Sequence, residues 1–290
     1  MTKLRIAIQK SGRLNEDSMR LLKECGIDLA NGLNKLKTEA QNFPLEVFFL
    51  RDDDIPEYVA EGVADIGIVG ENVLVEAVPI AIGSDVQIVE RLGFGKCRLS
   101  IAIPKAEEFK SLKDLEGKRI ATTYVNLLQK FLKKKKVKAE IHEISGSVEI
   151  APGIGLADAI CDIVSSGSTL FMNGLKEVET VFKSEAVLIG NKKLSKKQQE
   201  IIERLLFRIR AVRKAKKNKY VLLNAPDNKL DRIIKLIPGM KSPTILPLAE
   251  KGWSSVHSVI EEEQFWDVIE KLKEAGAQGI LVVPIEKMVV

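Results

Sequence analysis

Cysteine, histidine and aromatic side chains are scarce in this chain: three, two and 5% of 290 residues. Cys25, Cys97 and Cys161 are far apart and form no CxxC pair, which excludes a secretory disulfide framework and a paired-thiol zinc site. Cys25 and Cys161 lie in apolar runs and read as buried packing residues. His142 and His257 are equally distant and lack paired carboxylate spacing, against a histidine metal site or an acid–base triad. There is neither a G-x-S-x-G elbow nor a GxxxxGK[ST] loop, so covalent serine chemistry and a nucleotide-hydrolysing engine are not indicated. No apolar run approaches the roughly 18 residues of a membrane helix, and the first residues do not have the pattern of a signal peptide. A protein of the reducing cytoplasm, off the membrane, is expected.

Charge of both signs is abundant. Lys and Arg number 45 and Asp and Glu 40, for a net +5, beside 45% hydrophobic residues. That balance excludes a disordered tail or a nucleic-acid wrapper, and the length suits two or three domains. The charge is unevenly spread: residues 191–241 hold 16 Lys or Arg against four Asp or Glu, so the remainder is net acidic. Within this stretch Ile201, Ile202, Leu205, Leu206 and Ile209 recur at helical spacing, which predicts a long amphipathic helix with a solvated basic face. Lys133 to Lys136, after Phe131 and Leu132, read as the cationic end of another helix. No recognition helix, zinc spacing or basic–aromatic interleaving accompanies them, so no nucleic-acid partner is expected.

Apolar runs at Leu4–Ile8, Leu45–Leu50 and Ala64–Val69, separated by helical stretches at Asn15–Cys25 and Asp52–Glu61, predict a parallel sheet covered on both faces. After Gly93-Phe94-Gly95 the pattern restarts. Strands are predicted at Arg98–Pro104, Lys118–Thr122, Lys138–Ile144 and Ala159–Val164, with helices at Tyr124–Leu132 and Ile154–Asp158, and Ala186–Ile189 is one more strand. In the tail, strands at Tyr220–Asn224, Ser242–Leu248, Trp253–Val259 and Gly279–Val283 alternate with helices from Pro226 to Lys235 and Glu262 to Glu274. That order is βαββαβ, the ferredoxin-like arrangement. The expected division is a first lobe over 1–96, rejoined at about 182–218, a second lobe over 97–181, and a small α+β domain over 219–290.

Three loops carry candidate chemistry. Ser165-Ser166-Gly167-Ser168-Thr169 follows a strand, and its hydroxyls and N–H groups can converge on a phosphate, with Asp162 upstream for a sugar hydroxyl or a magnesium ion; helix capping is the plainer alternative. Glu143 and Glu149 frame a Gly/Ser turn where magnesium can meet phosphate oxygens, or which is surface turn chemistry alone. Lys10, Gly12 and Arg13 sit after the first strand, where open α/β sheets bind ligands, and Arg13 can grip a phosphate with two parallel bonds. Across that lobe, Arg51 with Asp52-Asp53-Asp54, and Asp65 through Gly70 and Glu71, end the next strands; the aspartates read as helix-start residues before they read as metal ligands.

With these loops and the tail together, the chain resembles the ATP phosphoribosyltransferase family in its long form, over essentially its whole length. The motifs are Ile8–Leu14, Arg51–Pro56, Asp65–Leu74, Gly146–Glu149, Gly155–Ile160 and Asp162–Leu170, then Arg232–Pro238, Pro243–Leu248 and Ile280–Met288. The resemblance implies an α/β fold of two lobes like type II periplasmic binding proteins, with a C-terminal ferredoxin-like α+β domain that binds histidine. It implies transfer of the 5-phosphoribosyl group of 5-phosphoribosyl 1-diphosphate to N1 of ATP with magnesium, the first step of histidine biosynthesis. It also implies inhibition by L-histidine and AMP, and a homo-oligomer between dimer and hexamer. Carried over by residue, Lys10, Arg13, Glu149 and Asp162 are catalytic. Asp162, Ser165, Ser166, Gly167, Ser168 and Thr169 hold phosphoribosyl diphosphate. Lys10, Gly12, Arg13, Arg51, Asp65, Gly70 and Glu71 face ATP, and Glu149 and Asp162 face the metal. Leu248, Ser254 and His257 are the candidate contacts for histidine. Two other readings stand beside this one: a solute-binding or effector-sensing protein of the same two-lobed fold, and a catalytically inactive partner subunit. The first would leave the Asp162–Thr169 loop without a task, and the second is expected to have lost Arg13, Glu149 or that loop.

Overall fold

The computed structural model describes residues 2–30, 36–77 and 85–289. In chain order the first lobe contributes β1 (Leu4–Gln9), α1 (Arg13–Glu24), β2 (Lys37–Glu39), β3 (Leu45–Leu50), α2 (Ile55–Ala60), β4 (Ile66–Gly70), α3 (Glu71–Ala77) and β5 (Val86–Arg91). The chain then builds a second sheet from β6 (Cys97–Pro104), β7 (Arg119–Thr122), α4 (Val125–Lys135), β8 (Glu140–Glu143), β9 (Ala159–Val164), α5 (Ser168–Met172) and β10 (Leu175–Ser184). It returns to the first sheet as β11 (Ala186–Asn191) and continues into α6 (Lys196–Lys216).

The first sheet runs β2-β3-β1-β4-β11-β5, with β1 parallel to β3 and β4 and with β11 antiparallel to β4. All six residues of β11 are buried, because this strand lies inside the sheet between β4 and β5 and is covered on both faces. The second sheet runs β10-β6-β9-β7-β8, with β9, β7 and β8 parallel. Each parallel set ends at a carboxyl edge, and these edges carry the candidates Lys10, Gly12, Arg13, Arg51, Gly70, Glu71 and the Asp162–Thr169 segment. The chain divides into two compact units, residues 1–23 with 27–202 and residues 24–26 with 203–290.

The second unit contains β12 (Asn218–Pro226), α7 (Leu230–Leu236), β13 (Thr244–Pro247), β14 (Trp253–Glu261), α8 (Phe265–Glu274) and β15 (Gln278–Pro284). Its antiparallel sheet runs β13-β14-β12-β15, the ferredoxin-like order. Val221, Leu223, Val256 and Ile260 on one face pack with Ile233, Ile237 and Leu272 of the helices.

Several local expectations hold for physical reasons. Cys25 and Cys161 are buried, and burial pushes the Cys25 thiol up to about 12. Helix α4 places Lys133, Lys134 and Lys135 in its last turn, and Lys136 closes it in the left-handed conformation at φ 57°. Others need correction. Residues 154–158 form turns and not a helix, since Pro152, Gly153 and Gly155 interrupt the pattern. Pro226 ends β12, and its helix starts only at Leu230 after a 3-10 turn. Asp52, Asp53 and Asp54 form a 3-10 turn leading into α2 and make no side-chain capping bond. The long strand β10 had no counterpart in the pattern: bulges near Val178 and Val181 and charges at Lys176, Glu177, Glu179 and Lys183 mask its alternation.

Candidate active site

Gly12, at φ 88°, turns the chain out of β1 so that Arg13 begins α1 at the carboxyl edge of the first sheet. On the second sheet, β9 delivers Asp162 and then the loop through Gly167, whose φ of 82° leads into α5. Ser147, left-handed at φ 49°, turns the chain after β8 into the short 3-10 segment that holds Glu149. One cavity of about 530 Å³ is lined by Arg13, Glu149, Asp162 and the chain from Ile163 to Leu170. Residues far apart in sequence, from two sheets, thus meet around one space.

The loop is internally ordered. Ser166 Oγ lies 2.9 Å from Ser168 Oγ, and Arg98 Nη1 donates to the Ser165 carbonyl at 3.3 Å. Arg98 is itself gripped by Glu177 through bonds of 2.6 and 2.5 Å, and Ser100 donates to the same carboxylate at 2.8 Å. Burial raises the proton affinity of Asp162, and the nearby charge of Glu149 raises it further, while the Ile163 N–H donated at 2.7 Å opposes both. Two carboxylates close enough to repel, facing a phosphate-type loop, suit a sugar, a developing positive charge, or a cation shared with phosphate oxygens.

A second cavity, of about 590 Å³, is lined by Arg51, Asp53, Val73, Glu76 and Ala77 from one sheet's connections and by Thr123, Tyr124 and Glu143 to Gly146 from the other's. Asn72 Nδ2 donates to the Tyr124 hydroxyl at 3.0 Å, and Ser184 Oγ donates to Asn72 Oδ1 at 2.7 Å. Burial pushes the Tyr124 phenol up, so it stays protonated near neutrality. Glu76, Tyr124, Arg98 and Glu177 were not singled out in the sequence, where nothing marks contacts across 50 or 79 residues.

Other candidates lie elsewhere. Lys10 is exposed at the end of β1, tied by its backbone N–H to Leu50 at 2.7 Å, and lines neither cavity. Gly70 and Glu71 stand at the carboxyl end of β4, with the Glu71 carboxylate forked onto Arg91 at 2.6 and 2.5 Å. Asp65 is not with them: it precedes β4 at the opposite edge, 1% exposed, holding Arg5 at 2.7 Å and Gln198 at 2.8 Å. In the second unit, Ser254 and His257 lie on opposite faces of β14. Ser254 is buried and donates to Asp227 at 2.6 Å. His257 has Tyr220 3.0 Å from Nδ1 and Ser255 3.0 Å from Nε2. Leu248 follows β13, with its N–H bonded to the Trp253 carbonyl at 2.9 Å.

Residues 51–211 match the family model described as ATP phosphoribosyltransferase, and residues 215–287 match that of the HisG C-terminal domain. The chain belongs to the ATP phosphoribosyltransferase family. An ATP phosphoribosyltransferase from Cytophaga hutchinsonii is 62% identical over 288 residues, covering 99% of each chain. The ATP phosphoribosyl transferase (HisG:HisZ) complex from Thermotoga maritima contains a chain that superposes with a TM-score of 0.60 at 30% identity, covering 71% of this chain and 96% of that one. A periplasmic sulfonate-binding protein from Methylobacillus flagellatus KT, 18% identical with a TM-score of 0.50, shares the fold over 72% of this chain and 67% of its own. The family is the long form, with an N-terminal catalytic part and a C-terminal regulatory domain, and the fold is two periplasmic-binding-protein-like sheets plus a separate α+β sheet. ATP phosphoribosyltransferases move the 5-phosphoribosyl group of 5-phosphoribosyl 1-diphosphate to N1 of ATP and release diphosphate, in histidine biosynthesis, and this chain is an enzyme of that class.

Proposed function

We propose that the transfer takes place where Arg13 meets the Asp162–Leu170 segment, and the shared cavity is the observation that carries the assignment. Ser165 to Thr169 seat the 5-phosphate of phosphoribosyl diphosphate, and Asp162 takes the ribose hydroxyls. As the carbon–diphosphate bond lengthens, positive charge grows on the ribosyl carbon, and the carboxylates of Asp162 and Glu149 favour it. Arg13 and Lys10 take charge on the leaving diphosphate. The adenine of ATP approaches from the second cavity, beside Arg51 and with Gly12, Gly70 and Glu71 at the same edge; Asp65 has no part in it. Adenine N1 needs no base to deprotonate it, in keeping with a site without histidine. Holding nucleophile and sugar in line, with water excluded, supplies the rest of the acceleration.

Among the described residues no cluster of three metal-ligating side chains occurs. Magnesium, however, takes one or two carboxylates and completes its shell with phosphates and water, and Glu149 and Asp162 fit that role. When bound, the ion shares the negative charge of the diphosphate. The ferredoxin-like part is the regulatory domain for L-histidine, with domains of about 1–96 plus 182–218, 97–181 and 219–290. AMP is a second inhibitor, the protein is a homo-oligomer between dimer and hexamer, and its place is the cytoplasm, where its substrates and free thiols are at home. No described helix is long and apolar enough to cross a membrane. Diphosphate release from ATP, phosphoribosyl diphosphate and magnesium, with and without histidine, tests the whole reading; no release refutes it.

A further inference from the structure

A third cavity, of about 490 Å³, adjoins the phosphate loop and shares Ser165 with the first. It lies beside both passages of the chain between the two sheets, with Arg91, Lys96 and Arg98 from one and Lys183 and Glu185 from the other, and Glu71 at its edge. Its charge sets it apart. Four cations and two carboxylates line it, whereas one cation and two carboxylates line the first cavity, and one cation and three carboxylates the second. Arg91 is occupied by Glu71 and Glu185, and Arg98 by Glu177. Lys96 and Lys183 are exposed and make no ion pair with a described residue.

We propose that this third cavity seats a polyphosphate chain of a substrate, with Lys96 and Lys183 as its ligands. The inference rests on the reading that Ser165 to Thr169 hold the 5-phosphate. That loop is built from hydroxyls and N–H groups and suits one phosphate. The acidic second cavity repels a polyanion and suits an uncharged base. Both substrates nevertheless carry a further chain of two or three phosphates, more negative charge than Arg13 and Lys10 balance, so further cations not already neutralised by carboxylates are needed. The cavity with excess positive charge is one loop residue away. Arg98 joins the two sites mechanically, since the guanidinium that lines the third cavity also holds the Ser165 carbonyl.

Two sources supply this chemistry, the triphosphate of ATP and the diphosphate of the sugar donor, and kinetics separates them. The full-length Lys96→Met/Lys183→Met protein is assayed against each substrate in turn, with inorganic tripolyphosphate and diphosphate as inhibitors and a melting curve alongside. The expected result is a rise of about tenfold in KM for at least one substrate, a parallel weakening of the matching inorganic anion, and an unchanged Tm. A rise confined to ATP and tripolyphosphate assigns the triphosphate; one confined to the sugar donor and diphosphate assigns the leaving group; a rise in both assigns a shared seat. Lys96→Arg/Lys183→Arg is expected to restore most of the affinity. All constants of the Met variant within about twofold of the parent would overturn the proposal. Calorimetric binding of tripolyphosphate, lost in the Met variant, reads the cavity even where turnover is absent, so failure of the transferase reading is distinguishable.

Discussion

Glu76 caps the helix that begins beside Asn126: one carboxylate oxygen accepts the Asn126 N–H at 2.8 Å and the other accepts the Leu127 N–H at 2.9 Å. Asn126 answers by donating its side-chain amide to the Glu76 carbonyl at 3.0 Å. A carboxylate from one sheet's connection thus satisfies the amino end of a helix belonging to the other, where the helix dipole favours negative charge. Glu76→Ala is expected to cost about 1–2 kcal/mol and lower Tm by about 2–8 °C, measured by calorimetry. An unchanged Tm would show that water replaces the cap without loss.

Asp162 is expected to matter for rate and not for folding. Its partly buried carboxylate loses solvation in the fold, so Asp162→Asn leaves Tm unchanged or raises it while kcat/KM falls by about 100- to 1,000-fold. The sign follows from its raised proton affinity. Stability from the protonated form is complete below the unfolded value of about 3.9 and is lost as pH rises through the higher folded value. Melting and initial rates on the same preparation decide the matter, and equal losses of both would remove Asp162 from the site.

Asp158 behaves in the opposite sense. Arg119 donates to it from its side chain at 3.0 and 3.2 Å and from its backbone at 2.9 Å, which lowers its pKa to about 2. Its stabilisation is present above the unfolded value of about 3.9 and disappears as pH falls toward the folded one. Between pH 5 and pH 2, on the order of one carboxylate's titration range, Tm of the parent is expected to fall more steeply than that of Asp158→Asn. Parallel curves would contradict the pairing.

Glu177 holds Arg98, which in turn holds Ser165. Glu177→Gln is expected to raise KM for phosphoribosyl diphosphate by about three- to tenfold with little effect on Tm, because an ion pair still partly open to solvent contributes only about 0–1 kcal/mol to folding. A KM unchanged within error would show that the loop keeps its shape without this support.

The two faces of β14 allow a further comparison. Ser254→Ala removes a buried donor to Asp227 and is expected to cost about 1–2 kcal/mol in folding. His257→Gln, on the open face, is expected to leave Tm nearly unchanged while altering inhibition by histidine. Dose–response curves of both variants test this, and unchanged inhibition in His257→Gln would remove it from the effector contacts.

Legibility in the sequence followed how local the determining physics was. Leu45–Leu50 and Ala159–Val164 were readable to the residue because each is a short run, apolar but for one acidic residue (Glu46, Asp162), of the kind that forms a largely covered strand. The glycine and serine turns that carry Arg13 and Thr169 were equally plain, since turn chemistry is written in adjacent residues. Asp65 was misplaced because its motif mates Gly70 and Glu71 are near in sequence, while a strand of five residues carries them to the far edge of the sheet. Ser254 and His257, three apart in one strand, necessarily face opposite ways. The tie from Glu76 to Asn126 depends on how two sheets are brought together, and that from Arg98 to Ser165 on which strands of the second sheet are neighbours; no pattern along the chain records either.

The position of β11 has a consequence in time. It is the buried interior strand between β4 and the edge strand β5, yet it follows them by the whole of the second lobe. On the ribosome, β4 and β5 therefore emerge without the strand that joins them. At about 5–20 residues per second, the first sheet waits on the order of 5–20 s for its missing member. During that interval two strand edges are open to wrong partners, and the second lobe, contiguous in the chain, can fold first and hand β11 back as the closing piece.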